Sequence, residues 1–271
     1  MRNKMFQRKT KILYQKKLGN GYFHCGLRAP DISRRAMPGQ FLDIKLGDNG
    51  IPLLRRPFSI HRIAGPIVEV LYEVLGRGTE ILSQKHPGEY LDIIGPLGNK
   101  FDLKKSEKSV KKGISILVAG GMGVAPLMFL AEELIQQRVS ESKNKVFVLA
   151  GAKSGSRILC EKEFKQLGCK FQVATDDGSR GFKGKVTDLL AYSLSAIEYR
   201  LSTIFACGPK PMLSEISKIC AKYNMPGQVS LEEHMACGIG ACLGCAVKTK
   251  SGYQRVCMEG PVFDADEIIW E

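Results

Sequence analysis

The chain has 271 residues, a formal net charge of +13 and nine cysteines. Domains typically hold roughly 100–150 residues, so this length predicts two domains and a small appendage, with cores that need no disulfide staples. No apolar run is as long as a membrane span, and Met1-Arg2-Asn3-Lys4-Met5-Phe6 lacks a signal-peptide core, so the expectation is a cytoplasmic protein with no membrane partner.

Much of the basic excess lies at 2–17 and in Lys104-Lys105 and Lys111-Lys112, which read as a solvated terminus and a surface loop. No aromatic-and-basic motif accompanies it, so nucleic acid is not an expected partner. From Lys11 to Gly95 the pattern is of short strands at 22–27, 40–46, 67–74 and 90–94, separated by Pro/Gly turns. Such spacing predicts an antiparallel β-barrel over 1–103, with one short helix at 78–84. Two stretches in it carry polar chemistry. Arg55-Arg56-Pro57-Phe58-Ser59-Ile60 puts a guanidinium, a ring and a hydroxyl side by side, and Gly76-Arg77-Gly78-Thr79 sets small residues and a hydroxyl before the helix, a setting suited to phosphate. Taken singly, Arg56 reads as a surface ion pair and Phe58 as core.

At Gly113 the pattern changes to alternating strand and helix. Ile114-Ser115-Ile116-Leu117-Val118-Ala119 is a run expected of a strand buried on both faces. Further strands are predicted at 145–150, 170–174 and 203–206, and helices from Leu127 to Arg138 and at 161–167, 185–193 and 209–223. This predicts a parallel α/β domain over 104–227, with ligands at the carboxyl ends of its strands. Gly120-Gly121-Met122-Gly123-Val124-Ala125-Pro126 follows the first strand, where glycines let a dinucleotide approach a helix N-terminus. It is not the full G-x-G-x-x-G. Cys207-Gly208-Pro209-Lys210-Pro211-Met212 ends the last strand; alone, Cys207 reads as a buried thiol. Thr175-Asp176-Asp177-Gly178 reads either as near the site or as a solvated turn. Lys153, Ser154, Ser156 and Arg157 are candidates for a 2′-phosphate or are ordinary loop residues.

The last 44 residues, 228–271, leave this pattern. Cys237, Cys242 and Cys245 stand at C-x4-C-x2-C spacing with Cys257 beyond them, the plant-type arrangement of thiolates around a 2Fe–2S cluster. Gly238, Gly240, Ala241 and Gly244 let backbone N–H groups approach the sulfurs. A hairpin at 246–256, turning at Ser251-Gly252, is predicted to return Cys257 to the loop. The rival is a structural zinc site, which more often shows two C-x2-C knuckles, and with it a zinc-stabilised regulatory module without redox chemistry. His234 is an alternative ligand, with packing or hydrogen bonding the expected role.

Arg56-Pro57-Phe58-Ser59 and Gly76-Arg77-Gly78-Thr79, with Gly120–Pro126 and Cys207-Gly208-Pro209, resemble the ferredoxin-NADP reductase superfamily. The resemblance implies FAD at Arg56, Pro57, Phe58, Ser59, Leu71, Tyr72, Glu73, Gly78 and Thr79. Phe58 stands where many relatives have Tyr. It implies a nicotinamide site at Gly120, Gly121, Gly123, Pro126, Gly208 and Pro209, with Ser59 and Cys207 as the catalytic candidates. Residues 230–242 and 256–263 are similar, more closely, to the electron-transfer subunits of dihydroorotate dehydrogenase B, and that likeness spans the chain. It implies a subunit taking electrons from the FMN of a dihydroorotate-oxidising partner through the cluster and FAD to NAD, in pyrimidine (UMP) biosynthesis. It also implies a heterotetramer of two of each chain. The alternative is a related flavin and iron–sulfur subunit of a hydrogenase, a sulfide dehydrogenase or a bifurcating reductase.

Overall fold

The computed structural model describes residues 4–47, 52–103, 114–136, 145–195 and 202–270. The predicted surface loop at 104–112 and the end of the helix at Arg138 lie outside these residues.

The first unit is a curled antiparallel sheet of seven strands, a half-barrel, in the order β4-β3-β7-β1-β2-β6-β5. Its strands are β1 (Phe6–Gly19), β2 (Tyr22–Arg28), β3 (Phe41–Lys45), β4 (Arg56–Ser59), β5 (Arg62–Ala64), β6 (Ile67–Glu73) and β7 (Tyr90–Leu97). The two end strands, β4 and β5, are separated only by Ile60 and His61, so the chain itself closes the curl. Two short helices belong to it, α1 (Pro30–Ser33) and α2 (Arg77–Ser83).

The basic N-terminal stretch is not a solvated tail. It is the sheet's longest strand: its first half pairs with β7 (Phe6↔Gly95 to Lys11↔Tyr90), its second with β2. The sequence hides this because the strand's exposed positions are Lys- and Arg-rich, and Thr10 and Ile12 are its only fully buried residues. At its centre the Tyr14 ring lies flat over Gly26 on β2, where any Cβ would overlap it.

The second unit is a sheet in the order β11-β10-β9-β8-β12-β13-β16. Its strands are β8 (Ile114–Gly120), β9 (Lys145–Ala152), β10 (Lys170–Thr175), β11 (Phe182–Lys183), β12 (Ser202–Cys207), β13 (Gly227–Ser230) and β16 (Val262–Asp264). All neighbours are parallel except β13 and β16. The continuous apolar run of β8 divides by alternation. Ile114, Ile116 and Val118 join Leu189, Leu190, Leu213 and Ile216 of α5 (Val186–Ser193) and α6 (Lys210–Tyr223) on one face. Leu117 and Ala119 join α3 (Val124–Gln136) and Phe164 of α4 (Glu161–Gln166) on the other. This is the double burial that the sequence pattern implied.

The tail is woven into both units. β16 extends the parallel sheet beyond β13, while the amide N–H of Asn99 donates to the carbonyl of Gly260 (2.6 Å) beside the half-barrel. The Gln228 side chain clamps Asp102 from both sides: Oε1 accepts the Asp102 N–H (2.8 Å) and Nε2 donates to its carbonyl (2.9 Å). The predicted hairpin is present as β14 (Ala246–Thr249) and β15 (Gly252–Arg255).

A buried polar chain runs through the wall of the half-barrel. His24 Nε2 lies 3.0 Å from Glu69 Oε2 and 3.5 Å from the Tyr14 hydroxyl, and the His24 and His61 rings meet edge to face. Burial opposes ionisation of Glu69, but hydrogen bonds from His24 and Tyr14 outweigh it and bring its pKa down to about 2. Burial brings His61 from its ordinary 6.5 down to about 4. The unfolded chain therefore takes up the His61 proton near pH 6.5 and the folded chain only near 4. Stability present above the first value is lost as pH falls towards the second, by on the order of 3 kcal/mol. Glu69 adds a further loss at lower pH. We expect the urea midpoint to fall over the His61 window and His61→Asn, which takes up no proton there, to flatten that part of the fall; an unchanged slope would contradict the assignment.

Candidate functional site

The carboxyl ends of the parallel strands face the half-barrel across a cleft of about 550 Å³. Three segments distant in sequence line it. The half-barrel contributes Phe41, Pro57, Phe58, Ser59, Leu71, Tyr72, Glu73 and Thr79. The parallel unit contributes Met122, Ala125 and Lys210, and the tail contributes residues 230–235 and Pro261.

On the half-barrel side, the Tyr72 ring stacks on Phe23 and meets Phe58 edge to face at 5.7 Å. Its hydroxyl turns away to Gln15 Oε1 (3.3 Å), which leaves an apolar wall towards the cleft. Gly78 is buried against Arg56: a Cβ there would lie 3.3 Å from both Cγ and Nε of the arginine. Thr79 Oγ1 accepts the N–H of Leu75 (3.0 Å) and donates to the Gly76 carbonyl (3.0 Å), fixing the turn that opens α2. Arg56 and Gly78 thus pack together beside the turn that Thr79 fixes, and of the three Thr79 lines the cleft. Glu73, expected at the flavin, is also ion-paired to Arg157 of the parallel unit (3.2 Å).

On the other side, the loop 120–123 and the exit of β12 are pressed together. A Cβ on Gly123 would overlap the Cys207 carbonyl, and one on Gly120 would lie 2.8 Å from Pro209 Cδ and 2.6 Å from Met212 Sδ. Gly121 has φ +53° and open space beyond its Cα. The glycines serve close approach of this loop to the exit of β12 and the start of the following helix at two positions, and an open, left-handed backbone at the third. Cys207 is fully buried; burial and the neighbouring Glu232 carboxylate push its thiol well above the ordinary range. Cys207, Gly208, Pro209 and Pro126 sit behind the lining residues, while Ala125 and Met122 face the cleft.

Other candidates are engaged in their own turns or links. Asp177 Oδ1 accepts both the N–H and the hydroxyl of Ser179, so Thr175-Asp176-Asp177-Gly178 forms a self-capped turn. Ser154 and Ser156 are within 3.1 Å of each other, and Arg157 also reaches the Tyr22 hydroxyl (3.4 Å).

The four tail cysteines form two pairs. Cys237 and Cys242 interact at the open side, where Cys242 is exposed; Cys245 and Cys257 interact at the buried side. The Ala241 N–H donates to Cys237 Sγ (3.3 Å) and the Cys257 N–H to Cys245 Sγ (3.5 Å). Burial works against ionisation of Cys237, yet the backbone N–H groups of Cys242, Ile239 and Ala241 bring its thiol down to about 7. Burial and Cys245 push Cys257 up to about 12. Among the described residues no three of these side chains converge on a point that a single metal ion would take. Four soft thiols standing as two pairs, with backbone donors aimed at sulfur, are instead the donor set that a group of two irons calls for, two thiolates to each iron.

Two residues around this loop carried no signal in the sequence. Arg255 donates from Nη1 to the Gly240 carbonyl (2.7 Å) and is held by Glu259, tying the hairpin to the loop. Asp43 on β3 is buried, with neither carboxylate oxygen hydrogen-bonded, and a Cβ on Gly238 would lie 2.5 Å from its Oδ2. Burial pushes its carboxyl up to about 6 against the pull of Arg55 and Arg56. Neither contact is local in sequence, so no motif announces it. His234 lines the cleft.

The architecture and the matched models define a ferredoxin-NADP reductase-like oxidoreductase with an iron–sulfur appendage. Residues 117–218 match the oxidoreductase NAD-binding domain, and residues 232–269 match the iron–sulfur cluster binding domain of dihydroorotate dehydrogenase B. The chain is 41% identical over 276 aligned residues to the dihydroorotate dehydrogenase B (NAD(+)) electron transfer subunit of Desulforamulus reducens, covering 99% of this chain and 100% of that one. It is 41% identical to the same subunit of Clostridium acetobutylicum over 86% of each. The chain belongs to the family of dihydroorotate dehydrogenase B electron transfer subunits. Among solved structures, an NADH-dependent reduced ferredoxin-NADP oxidoreductase, described for flavin-based electron bifurcation, superposes with TM-score 0.82 at 28% identity, over 97% of this chain and 90% of that one. A ferredoxin NADP+ reductase from Neisseria gonorrhoeae, with bound FAD and NADP, shares the fold at TM-score 0.65 and 16% identity, over 80% and 91%.

Gly123→Ala tests the close approach at the cleft. The methyl group has only the backbone of Cys207 and Gly208 to displace, so we expect a destabilisation of about 3 kcal/mol in urea unfolding, the upper range for overpacking. A change under about 1 kcal/mol would show that the two loops have room to part.

Proposed function

We propose that this chain is the electron-transfer subunit of an NAD-dependent dihydroorotate dehydrogenase. An FMN-carrying catalytic partner oxidises dihydroorotate to orotate, and this chain delivers the electrons to NAD, serving pyrimidine (UMP) biosynthesis. The observation that carries the reading is the convergence of three segments on one cleft: the Arg56–Ser59 strand, the Met122–Ala125 loop and the chain leading directly into the cysteine loop. When bound, FAD supplies two-electron exchange with a nicotinamide and one-electron exchange with a 2Fe–2S cluster.

The chain's residues divide the work as follows. Arg56, Gly78 and Thr79 hold the flavin phosphates. Pro57, Phe58, Leu71, Tyr72 and Glu73 would wall the flavin ring, and the Ser59 hydroxyl, which also lines the cleft, would serve as a hydrogen-bonding group beside it. Gly120, Gly121, Gly123, Pro126, Gly208 and Pro209 shape the nicotinamide site, backed by Cys207 as a neutral thiol that adds no charge. Cys237, Cys242, Cys245 and Cys257 hold the cluster. The working units are 1–103, 104–227 and 228–271. NAD rather than NADP is supported by the relatives' names and by Arg157, which is committed to Glu73 and Tyr22. No helix among the described residues is long and apolar enough to cross a membrane. We place the complex in the cytoplasm as a heterotetramer of two chains of each kind. The bifurcating oxidoreductase shares the fold closely, but end-to-end identity of 41% to a dihydroorotate dehydrogenase subunit favours the pyrimidine enzyme.

Mixing the purified chain anaerobically with the dihydroorotate-oxidising subunit tests this. Dihydroorotate-dependent formation of NADH is expected; an assembled complex that forms none rejects the assignment. In Cys242→Ser this transfer is expected to disappear while FAD stays bound at the wild-type ratio. Equal loss of both would mean that the cysteine loop is chiefly structural. Zinc in place of iron, with no FAD, would sink the redox reading altogether.

A further inference from the structure

His61 lies two residues beyond Ser59, in the short connection from β4 to β5, and is 3% exposed. Its Nδ1 is 2.8 Å from the carbonyl oxygen of Ala125, in the first turn of α3. A carbonyl only accepts, so Nδ1 carries the proton and donates. The next residue, Arg62, donates from Nε to Glu132 Oε1 of the same helix (2.7 Å). Phe129, between these two positions, inserts into the core of the half-barrel. Ala125, Phe129 and Glu132 are spaced i, i+4, i+7 and form one stripe of α3. That stripe is the side the parallel unit turns to the half-barrel, and two consecutive residues, His61 in the connection and Arg62 at the start of β5, grip both its ends.

The grip bears directly on the cleft. Ser59 and Ala125 both line it, from opposite walls. The path from one to the other runs Ser59, Ile60, His61, then across a single hydrogen bond to Ala125. Ile60 is fully buried and leaves that path little slack. The surroundings hold the His61 ring in place. The His61 N–H donates to the Glu69 carbonyl (2.8 Å), and the His24 ring packs edge to face at 5.3 Å, itself held by Glu69 and Tyr14.

We propose that His61 is a positioning residue for hydride transfer, setting the separation of the flavin-bearing strand from the nicotinamide-bearing loop through its bond to Ala125. This rests on the proposed function of the cleft. Displacing reacting atoms by even about 1 Å costs up to about a hundredfold in rate. His61 touches neither reactant, so its effect is expected on transfer rather than on the binding of either one.

The test uses the full chain loaded with FAD and cluster, comparing wild type, His61→Leu and His61→Asn. Leucine removes the donor, while asparagine keeps an N–H of similar reach. Anaerobic stopped-flow mixing with NADH follows bleaching of the flavin, as hydride passes from the nicotinamide to the ring and leaves NAD. The long-wavelength charge-transfer absorbance of the NADH–flavin pair reports their stacking before transfer. Expected in His61→Leu are a tenfold or greater slowing and a weakened charge-transfer band, with FAD content and Kd for NAD within twofold of wild type. His61→Asn is expected to recover the rate to within threefold. A wild-type rate and band in His61→Leu overturn the proposal, and so does an asparagine variant as slow as the leucine one, since ring packing alone would then explain both. Amide hydrogen exchange of residues 121–125 provides a readout independent of turnover: faster exchange is expected in His61→Leu and near-normal exchange in His61→Asn. Unchanged exchange in His61→Leu overturns the proposal. Failure of the wild-type protein to bleach with NADH would reject the cleft's function instead.

Discussion

Strand β13 is the element on which the arrangement depends. It has four residues, and each of its edges and ends has a separate task. One edge pairs with β12, whose exit carries Cys207; the other pairs with β16, which follows the last cysteine of the tail. The Gln228 amide grips the half-barrel's exit at Asp102, and the residues immediately after β13 line the cleft. An amide side chain that pairs with both the N–H and the carbonyl of a backbone residue acts as one more ladder rung. It satisfies both backbone groups of a half-buried residue with one side chain. A single short strand therefore relates the half-barrel's wall of the cleft, the loop after β8 and the cysteine loop to one another.

The parts of the site that were legible in the sequence are those whose chemistry is local. The cysteine spacing, the glycines after β8 and the Arg56–Ser59 stretch each place several functional atoms within a few residues, so a motif can carry them. Helix and strand alternation in the middle was legible because β8 is apolar on both faces. What the sequence hid is long-range or masked by charge. β1 is a strand whose exposed face is largely lysine and arginine, leaving Thr10 and Ile12 as its fully buried markers. β16 is three residues long, too short for any period to show. Asp43, Gln228 and Arg255 act on partners 126 to 195 residues away or on a loop carbonyl, and no pattern of residue types anticipates such meetings.

The polar groups that join the units differ in kind from the apolar cores within them. Apolar burial is non-directional and would tolerate sliding of one unit on the other. The ties from Gln228 to Asp102, Arg157 to Glu73, Arg62 to Glu132 and His61 to Ala125 are directional; the last two share one stripe of α3, and the others are made by different elements. Each contributes only about 1 kcal/mol net, yet each loses its value within a fraction of an ångström of misalignment. A set of weak directional bonds around a cleft constrains geometry more than it adds stability, which suits a site whose output depends on the distance between two bound rings.

The same reasoning separates the two roles that buried acids play here. Glu69 is buried and ionised because His24 and Tyr14 satisfy it, so it belongs to the framework. Asp43 is buried and hydrogen-bonds to nothing among the described residues, so its carboxyl drifts up towards neutrality. A framework role would have recruited donors, as it did for Glu69 at a comparable depth. Asp43 instead stands between the strand that carries Pro57 and the backbone of Gly238, on the short line from the cleft to the cysteine loop. Two constraints meet at Gly238: its φ of +64° strains any side chain, and the loop closes over a carboxyl that is already there.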